Sequence, residues 1–241
     1  MSRIYNSCVE MLSEEFRNLM ELGIEVQSST MQDKDIRNNE EYKTKELIAN
    51  SFTILDTNDK EEMYKVMRSK YNIDLNKEWA DKEFEERIND KKINPGKAYK
   101  LRKEVWKEFI HNGKFSYSYN ERIRQNKYKI IEELKKNITT RQAILPIWNY
   151  YDLKYLGGKE RIPCSILYSF FIRKINNKDK LNMIYIMRSS DLLTHFVNDV
   201  YLAIKMQEYI AEKVEIEKGI FTMFISSFHA YYKDLKKYNI F

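Results

Sequence analysis

The chain has 241 residues, 43% of them hydrophobic and 14% aromatic, with 42 Lys and Arg against 36 Asp and Glu for a formal net charge of +6. That is enough apolar material for one large domain with a real core, which excludes a disordered polar chain. The two signs of charge interleave and no basic stripe stands out, so direct nucleic-acid binding is not expected.

In chain order, apolar groups at Ile4, Cys8, Met11, Leu12, Phe16, Leu19 and Leu22 have helical spacing and predict a helix over 4–22, stopped at Gly23. Residues 33–45 are polar and read as a loop, while 46–55 fits a strand or a helix end equally well. A charged segment over 60–92, with Met63, Val66, Met67, Trp79, Phe84 and Ile88 on one spacing, reads as helical. Asn94-Pro95-Gly96 must interrupt regular structure. A helix over 127–136 follows, then short β-leaning runs at 143–148, 166–172 and 181–187, a helix over 192–213 and a last strand over 221–228. Such a mixture predicts an α+β fold in which helices cover a mainly buried sheet. No repeat or linker divides it.

Two cysteines, Cys8 and Cys164, make no disulfide framework, and the early charges of the N-terminus do not form a signal peptide. No apolar run is long enough to span a membrane, and the three histidines lie too far apart for a zinc spacing. A cytoplasmic protein with no metal is the expectation.

Chemistry concentrates in four segments: TTRQAILPIW (139–148), RIPCSILYSF (161–170), MRSSDLL (187–193) and SSFHAYY (226–232). A lone Cys in an apolar run is more often core than nucleophile. In this order, however, the segments resemble the thymidylate synthase family, which includes the phage pyrimidine hydroxymethylases. Pro163-Cys164 matches the family's Pro-Cys nucleophile, Arg188-Ser189-Ser190-Asp191 its Arg-Ser-x-Asp, and His229-Ala230-Tyr231 its His-x-Tyr. From Arg188 to Tyr231 no gap is needed, and the clear resemblance covers the last hundred or so residues.

The resemblance implies a single thymidylate synthase-like domain over 1–241, with a mostly antiparallel or mixed sheet that mediates a homodimer. It implies that Cys164 attacks C6 of a pyrimidine nucleotide so that C5 takes a one-carbon unit from 5,10-methylenetetrahydrofolate. A thiolate is the attacking species, and Arg188 is the cation placed to favour it. Arg188 and Ser189 would also hold the substrate phosphate, joined by Arg141 from the partner subunit and by Arg37 from the polar loop. The second phosphate arginine of the family is Gln142 here. Asp191, Tyr119, His229 and Tyr231 carry over by position, although Asn120 replaces a Gly after Tyr119. Glu83 is the choice for the family's proton-moving glutamate, with Glu61 and Glu62 as alternatives.

Two departures bear on the reaction. The base-reading Asn of the synthases falls on Asp199, with Asn198 one residue away. A carboxyl accepts from the N4 amine of cytosine and repels O4 of uracil, which points to a cytosine nucleotide. The His that follows the nucleophile is Ser165, and the chain ends at Phe241 without the closing tail of the synthases. Both features favour capture of water over hydride, hence a deoxycytidylate 5-hydroxymethyltransferase. A uridylate hydroxymethylase or thymidylate synthase is the first alternative, and a catalytically silent nucleotide-binding homologue the second.

Overall fold

The computed structural model describes residues 2–31 and 34–240. Strands are β1 (Arg3–Tyr5), β2 (Ile24–Val26), β3 (Thr30–Met31), β4 (Lys34–Asp35), β5 (Thr44–Ile54), β6 (Ile144–Pro146), β7 (Ser165–Ile175), β8 (Lys178–Asp191) and β9 (Glu217–Tyr231). Helices are α1 (Cys8–Leu22), α2 (Glu62–Tyr71), α3 (Lys77–Ile88), α4 (Lys103–Trp106), α5 (Tyr119–Ile123), α6 (Asn126–Lys136), α7 (Val197–Val214) and α8 (Tyr232–Lys237).

Among the described residues seven strands form one sheet in the order β1-β5-β9-β8-β7-β6, with β2 added to β5. Pairing is antiparallel except for β1 with β5 and β8 with β9. The expected α+β architecture with a mixed sheet and covering helices is what forms. Alternation along the strands buries Phe52 and Ile54, Tyr168 and Phe170, Met183 and Tyr185, and Phe221 and Met223 on one face. Residues of α7 such as Val200, Leu202, Ile204 and Met206, and Met11, Leu12 and Leu19 of α1, belong to the same core.

The opposite face carries half-buried rows that run across the strands. One is Leu167, Ile186, Phe224 and Ser51; the next is Ser169, Ile184, Thr222 and Thr53.

Several elements differ from their sequence expectation. The first helix begins at Cys8, not Ile4: Ser7 caps it by accepting from the Glu10 amide at 3.2 Å, and Ile4, 66% exposed, lies on a strand. Within 33–45, Lys34–Asp35 is a strand, Glu40–Tyr42 a 3-10 turn and β5 already starts at Thr44; Asp33 is outside the described residues. The ambiguous 46–55 lies almost wholly in β5. The single helical stretch over 60–92 is two helices, broken after Tyr71 where Asn72 takes a left-handed φ of 56°. The three short runs 143–148, 166–172 and 181–187 prove to be one strand of three residues and two that run well past the apolar positions, because paired backbones extend into polar ends.

Candidate active site

β8 and β9 run parallel, so their C-terminal ends finish together. Ser189 pairs with Ser227 and Asp191 with His229, which sets the Arg-Ser-x-Asp and His-x-Tyr segments side by side. β7 is antiparallel to β8, and its first residue follows Cys164; the Arg188 amide donates to the Cys164 carbonyl at 2.8 Å. Sheet topology alone therefore gathers three of the four motif segments at one edge.

The turn that carries Cys164 is pinned by its backbone. The Pro163 carbonyl accepts from the Trp148 indole at 2.9 Å and from Arg188 Nε at 3.0 Å, and Arg188 Nη2 donates to the Ile162 carbonyl at 3.4 Å. Arg188 Nη1 reaches Ser189 Oγ at 3.2 Å, and Ser189 Oγ donates to Cys164 Sγ at 3.7 Å. Arg188 is exposed and Cys164 half-buried, so the guanidinium edge and the thiol are both reachable from solvent. An arginine with unused donors and a neighbouring hydroxyl can hold an anion bidentately.

Asp191 acts as a cap. Its carboxylate accepts from the Leu193 amide at 3.0 Å and the Thr194 hydroxyl at 2.6 Å, starting a π-helical turn over Leu192–Phe196 that leads into α7. Asp199 lies in the first turn of α7, where Ser190 Oγ donates to it at 2.7 Å. Burial pushes its carboxyl up to about 7, against the pull of Ser190, Arg87 and Arg102. Asn198 faces elsewhere: it is 1% exposed and accepts from Tyr64 Oη at 2.8 Å, and its amide nitrogen is buried without a partner.

Glu83 and Tyr119 meet through a residue that the sequence did not single out. Arg87 Nε donates to Glu83 Oε1 at 2.9 Å, and the Arg87 guanidinium lies over the Tyr119 ring at 3.7 Å. The Tyr119 hydroxyl bonds Ser165 Oγ at 3.1 Å. Glu83, Arg87, Tyr119 and Arg161 line a cavity of about 20 Å³, space for one water. Arg161 is itself boxed by rings, 4.1 Å from Trp106 and 5.1 Å from Tyr117, with no carboxylate in ion-pair range among the described residues. Arg87 stands four residues after Glu83, a helical ion-pair spacing, and Arg161 three before Cys164; those spacings were the available signals. His195 was also missed. Burial, then Arg102 and Arg161, push its imidazole down to about 3, so it is neutral at pH 7.

Other expected residues lie apart from these contacts. Arg37 is exposed and pairs with Asp35, Nη2 to Oδ2 at 2.5 Å. Arg141 and Gln142 are exposed on the turn before β6. Of the alternative glutamates, both exposed, Glu62 pairs with Lys65 at 2.7 Å and Glu61 with Lys77 at 3.6 Å. His229 and Tyr231 are half-buried, 5.4 Å apart ring to ring, and burial pushes the Tyr231 phenol up to about 12. Among the described residues no His, Cys, Asp and Glu group could hold a metal, and no helix is long and apolar enough to cross a membrane.

Fold and site together define a class: an α+β protein with a half-buried thiol linked through Ser189 to an exposed arginine at the end of a parallel strand pair. Residues 11–240 match the family model described as thymidylate synthase, and the chain belongs to that family. It is 35% identical over 143 residues to a putative thymidylate synthase of Methanocaldococcus jannaschii, covering 56% of this chain and 62% of that protein. A deoxyuridylate hydroxymethyltransferase of Pseudomonas phage M6 is 32% identical over 111 residues, covering 45% of this chain and 30% of the phage protein. Thermostable thymidylate synthase A from Bacillus subtilis has the same fold, with a TM-score of 0.70 at 16% identity over 95% of this chain and 82% of that one. The match thus spans less than two thirds of the length of both curated relatives.

Proposed function

We propose that this protein, as one domain over residues 1–241 and acting as a cytoplasmic homodimer, is a deoxycytidylate 5-hydroxymethyltransferase. The observation that carries the choice of base is Asp199, a carboxyl raised to about 7 and bonded to Ser190, the residue that follows Arg188-Ser189 in the chain. At neutral pH such a group is present in both protonation states. Protonated, it donates to N3 of cytosine while its carbonyl oxygen accepts from N4; ionised, it stabilises a protonated N3. Uracil offers N3–H and O4, so the ionised carboxylate repels O4 whereas it accepts from N4 of cytosine, and the ionised form carries the discrimination. Burial of Asn198 against Tyr64 supports Asp199 as the residue that meets the ring.

In this reading Arg188 and Ser189 hold the nucleotide phosphate, joined by Arg37 as its loop closes and by Arg141 of the partner subunit. The half-buried rows on the outer face of the sheet support a sheet-to-sheet dimer. His229 and Tyr231 border the sugar, and Asp191 fixes the turn into α7. The Cys164 sulfur bonds to C6 and the C5=C6 electron pair moves to C5, which takes up the one-carbon unit; the C5 hydrogen leaves as a proton, water supplies the hydroxyl, and expulsion of the thiolate restores the double bond. Glu83, held by Arg87, organises a water and its protons at the ring.

When bound, 5,10-methylenetetrahydrofolate supplies the one-carbon unit at the oxidation level of formaldehyde.

Purified protein is to be incubated with methylenetetrahydrofolate and dCMP or dUMP, following release of C5 hydrogen and product mass. Expected are faster exchange with dCMP, a hydroxymethyl product and tetrahydrofolate. Asp199→Asn moves preference toward dUMP by about ten- to a hundredfold, the scale of re-pairing one buried polar edge. Wild-type preference for dUMP, the substrate named for the phage relative, overturns the assignment.

A further inference from the structure

His195 offers a donor that nothing in the protein uses. It lies four residues after Asp191, in the π-helical turn Leu192–Phe196. Arg102 holds that turn with two of its nitrogens: Nη2 donates to the Thr194 carbonyl at 3.3 Å, and Nη1 meets His195 Nδ1 at 3.4 Å. Arg102 itself lies over the Trp79 ring at 4.8 Å, and Trp79 stacks on Trp106. Trp106 packs against the imidazole at 5.9 Å and carries the Arg161 guanidinium at 4.1 Å. Arg161 stands three residues before Cys164. The imidazole is thus tied through its own turn to the end of β8, and through Trp106 to the segment that bears the thiol.

Which nitrogen carries the proton follows from the partner. A guanidinium has only N–H groups and no acceptor, so the nitrogen that meets it must present a lone pair. Turning the ring over would put a carbon there and forfeit the bond. With its proton on Nδ1, or doubly protonated, the ring would set N–H against N–H. His195 is therefore the neutral form with Nδ1 bare and Nε2 protonated. Electrostatics agree: burial, then Arg102, Arg161 and His229, all push the imidazole down, to about 3. Nε2 bonds no described residue, yet it is not sealed from solvent, and the residue is half-buried. Arg161 on the same Trp106 ring adds N–H groups and no acceptor, so the surroundings suit a carbonyl oxygen. A neutral imidazole can polarise a carbonyl as a donor. An imidazolium, in a site that works through a thiolate, would compete with it as an acid.

We propose that His195 is a further binding residue of this site, fixed by Arg102 with its proton on Nε2, and that this N–H meets a carbonyl oxygen of a bound reactant. Arg102 is then a positioning residue. The proposal rests on the reaction proposed above for the identity of the reactants, dCMP and methylenetetrahydrofolate.

The test is the nitrogen NMR spectrum of protein carrying labelled histidine, in which His195→Gln identifies the ring by its loss. Expected are a proton on Nε2 and a bare Nδ1 from pH 5 to pH 8, and an N–H resonance that moves when dCMP and methylenetetrahydrofolate are added together. A proton on Nδ1, or titration within that range, overturns the assignment. So does an unmoved resonance in protein that exchanges the C5 hydrogen of dCMP. In Arg102→Met the ring loses its donor and a mixture of tautomers is expected; an unchanged Nε2–H form removes Arg102 from the role. On turnover, His195→Gln, whose side-chain amide can still donate, is expected to keep about tenfold more activity than His195→Leu, the scale of one hydrogen bond. Equal losses point to packing alone and overturn the proposal. If His195→Leu fails to fold, the spectra of wild type and Arg102→Met decide. Wild-type protein that exchanges no pyrimidine monophosphate refutes the proposed reaction, while the tautomer stands or falls on its own spectrum.

Discussion

Asp199→Asn tests the electrostatics of the site without any substrate. In the unfolded chain this carboxyl titrates near 3.8, and in the folded protein burial raises it to about 7. Between those two values the native state holds a proton that the unfolded state has released, so stability falls as pH rises through this window and is level above it. The gap of about three units corresponds to roughly 4 kcal/mol at most. Asp199 is only half-buried by exposure, so about 2 kcal/mol is the working figure after allowance for solvent screening. Asparagine has the same shape, can still accept from Ser190 Oγ, and does not ionise. Every other titrating group is common to both proteins and cancels in the difference. Urea unfolding of both at pH 4.5, 6 and 8 is therefore expected to show Asp199→Asn gaining on the wild type by about 2 kcal/mol across the series, about 1 M in midpoint at a common slope. A difference that stays constant across pH refutes the raised carboxyl and, with it, the pairing proposed with N3 of cytosine.

A thiol reagent at neutral pH should modify Cys164 and spare Cys8, which is 0% exposed, and dCMP should protect; Cys164→Ala should fold normally and lose both labelling and turnover. Labelling of Cys8 in the folded protein, or turnover in Cys164→Ala, counts against the site. Mixed Cys164→Ala and Arg141→Ala subunits should recover activity that neither has alone, because one heterodimer site is complete; an active monomer on sedimentation contradicts this. Glu83→Gln and Arg87→Met should each cost about 3 kcal/mol by stranding a partner in a poorly solvated pair, and the double variant clearly less than their sum. Additive losses show that the pair is not coupled.

The strands and motifs near the C-terminus were legible because parallel and antiparallel pairing keeps sequence-adjacent chemistry adjacent in space. Pro163-Cys164, Arg188-Asp191 and His229-Tyr231 come together through the pairing of β7, β8 and β9. Boundaries failed where local backbone chemistry overruled apolar spacing. Ser7 claimed the start of α1, and Asn72 in a left-handed conformation cut one apparent helix in two. The supporting layer was harder to see. Arg87 and Arg161 look like ordinary surface cations in a chain with 42 Lys and Arg, and only tertiary packing sets them against Tyr119 and Trp106. Ser165 was noticed for the histidine it replaces, whereas its two phenol partners come from β8 and α5 and share no sequence spacing with it.

The parallel pairing of β8 with β9 has an evolutionary corollary. Two neighbouring strands that point the same way cannot be joined by a tight turn, so the chain leaves the sheet after Asp191 and returns at Glu217 by way of α7. Asp199, proposed to read the base, stands on that detour; the thiol and its arginine stand on the strands. Replacing the residue at 199 leaves every strand register untouched, whereas moving Cys164 or Arg188 would shift a ladder. On the proposed role of Asp199, substrate choice is separable from the reactive machinery, and a single codon change at this position would be a short route from one pyrimidine to the other.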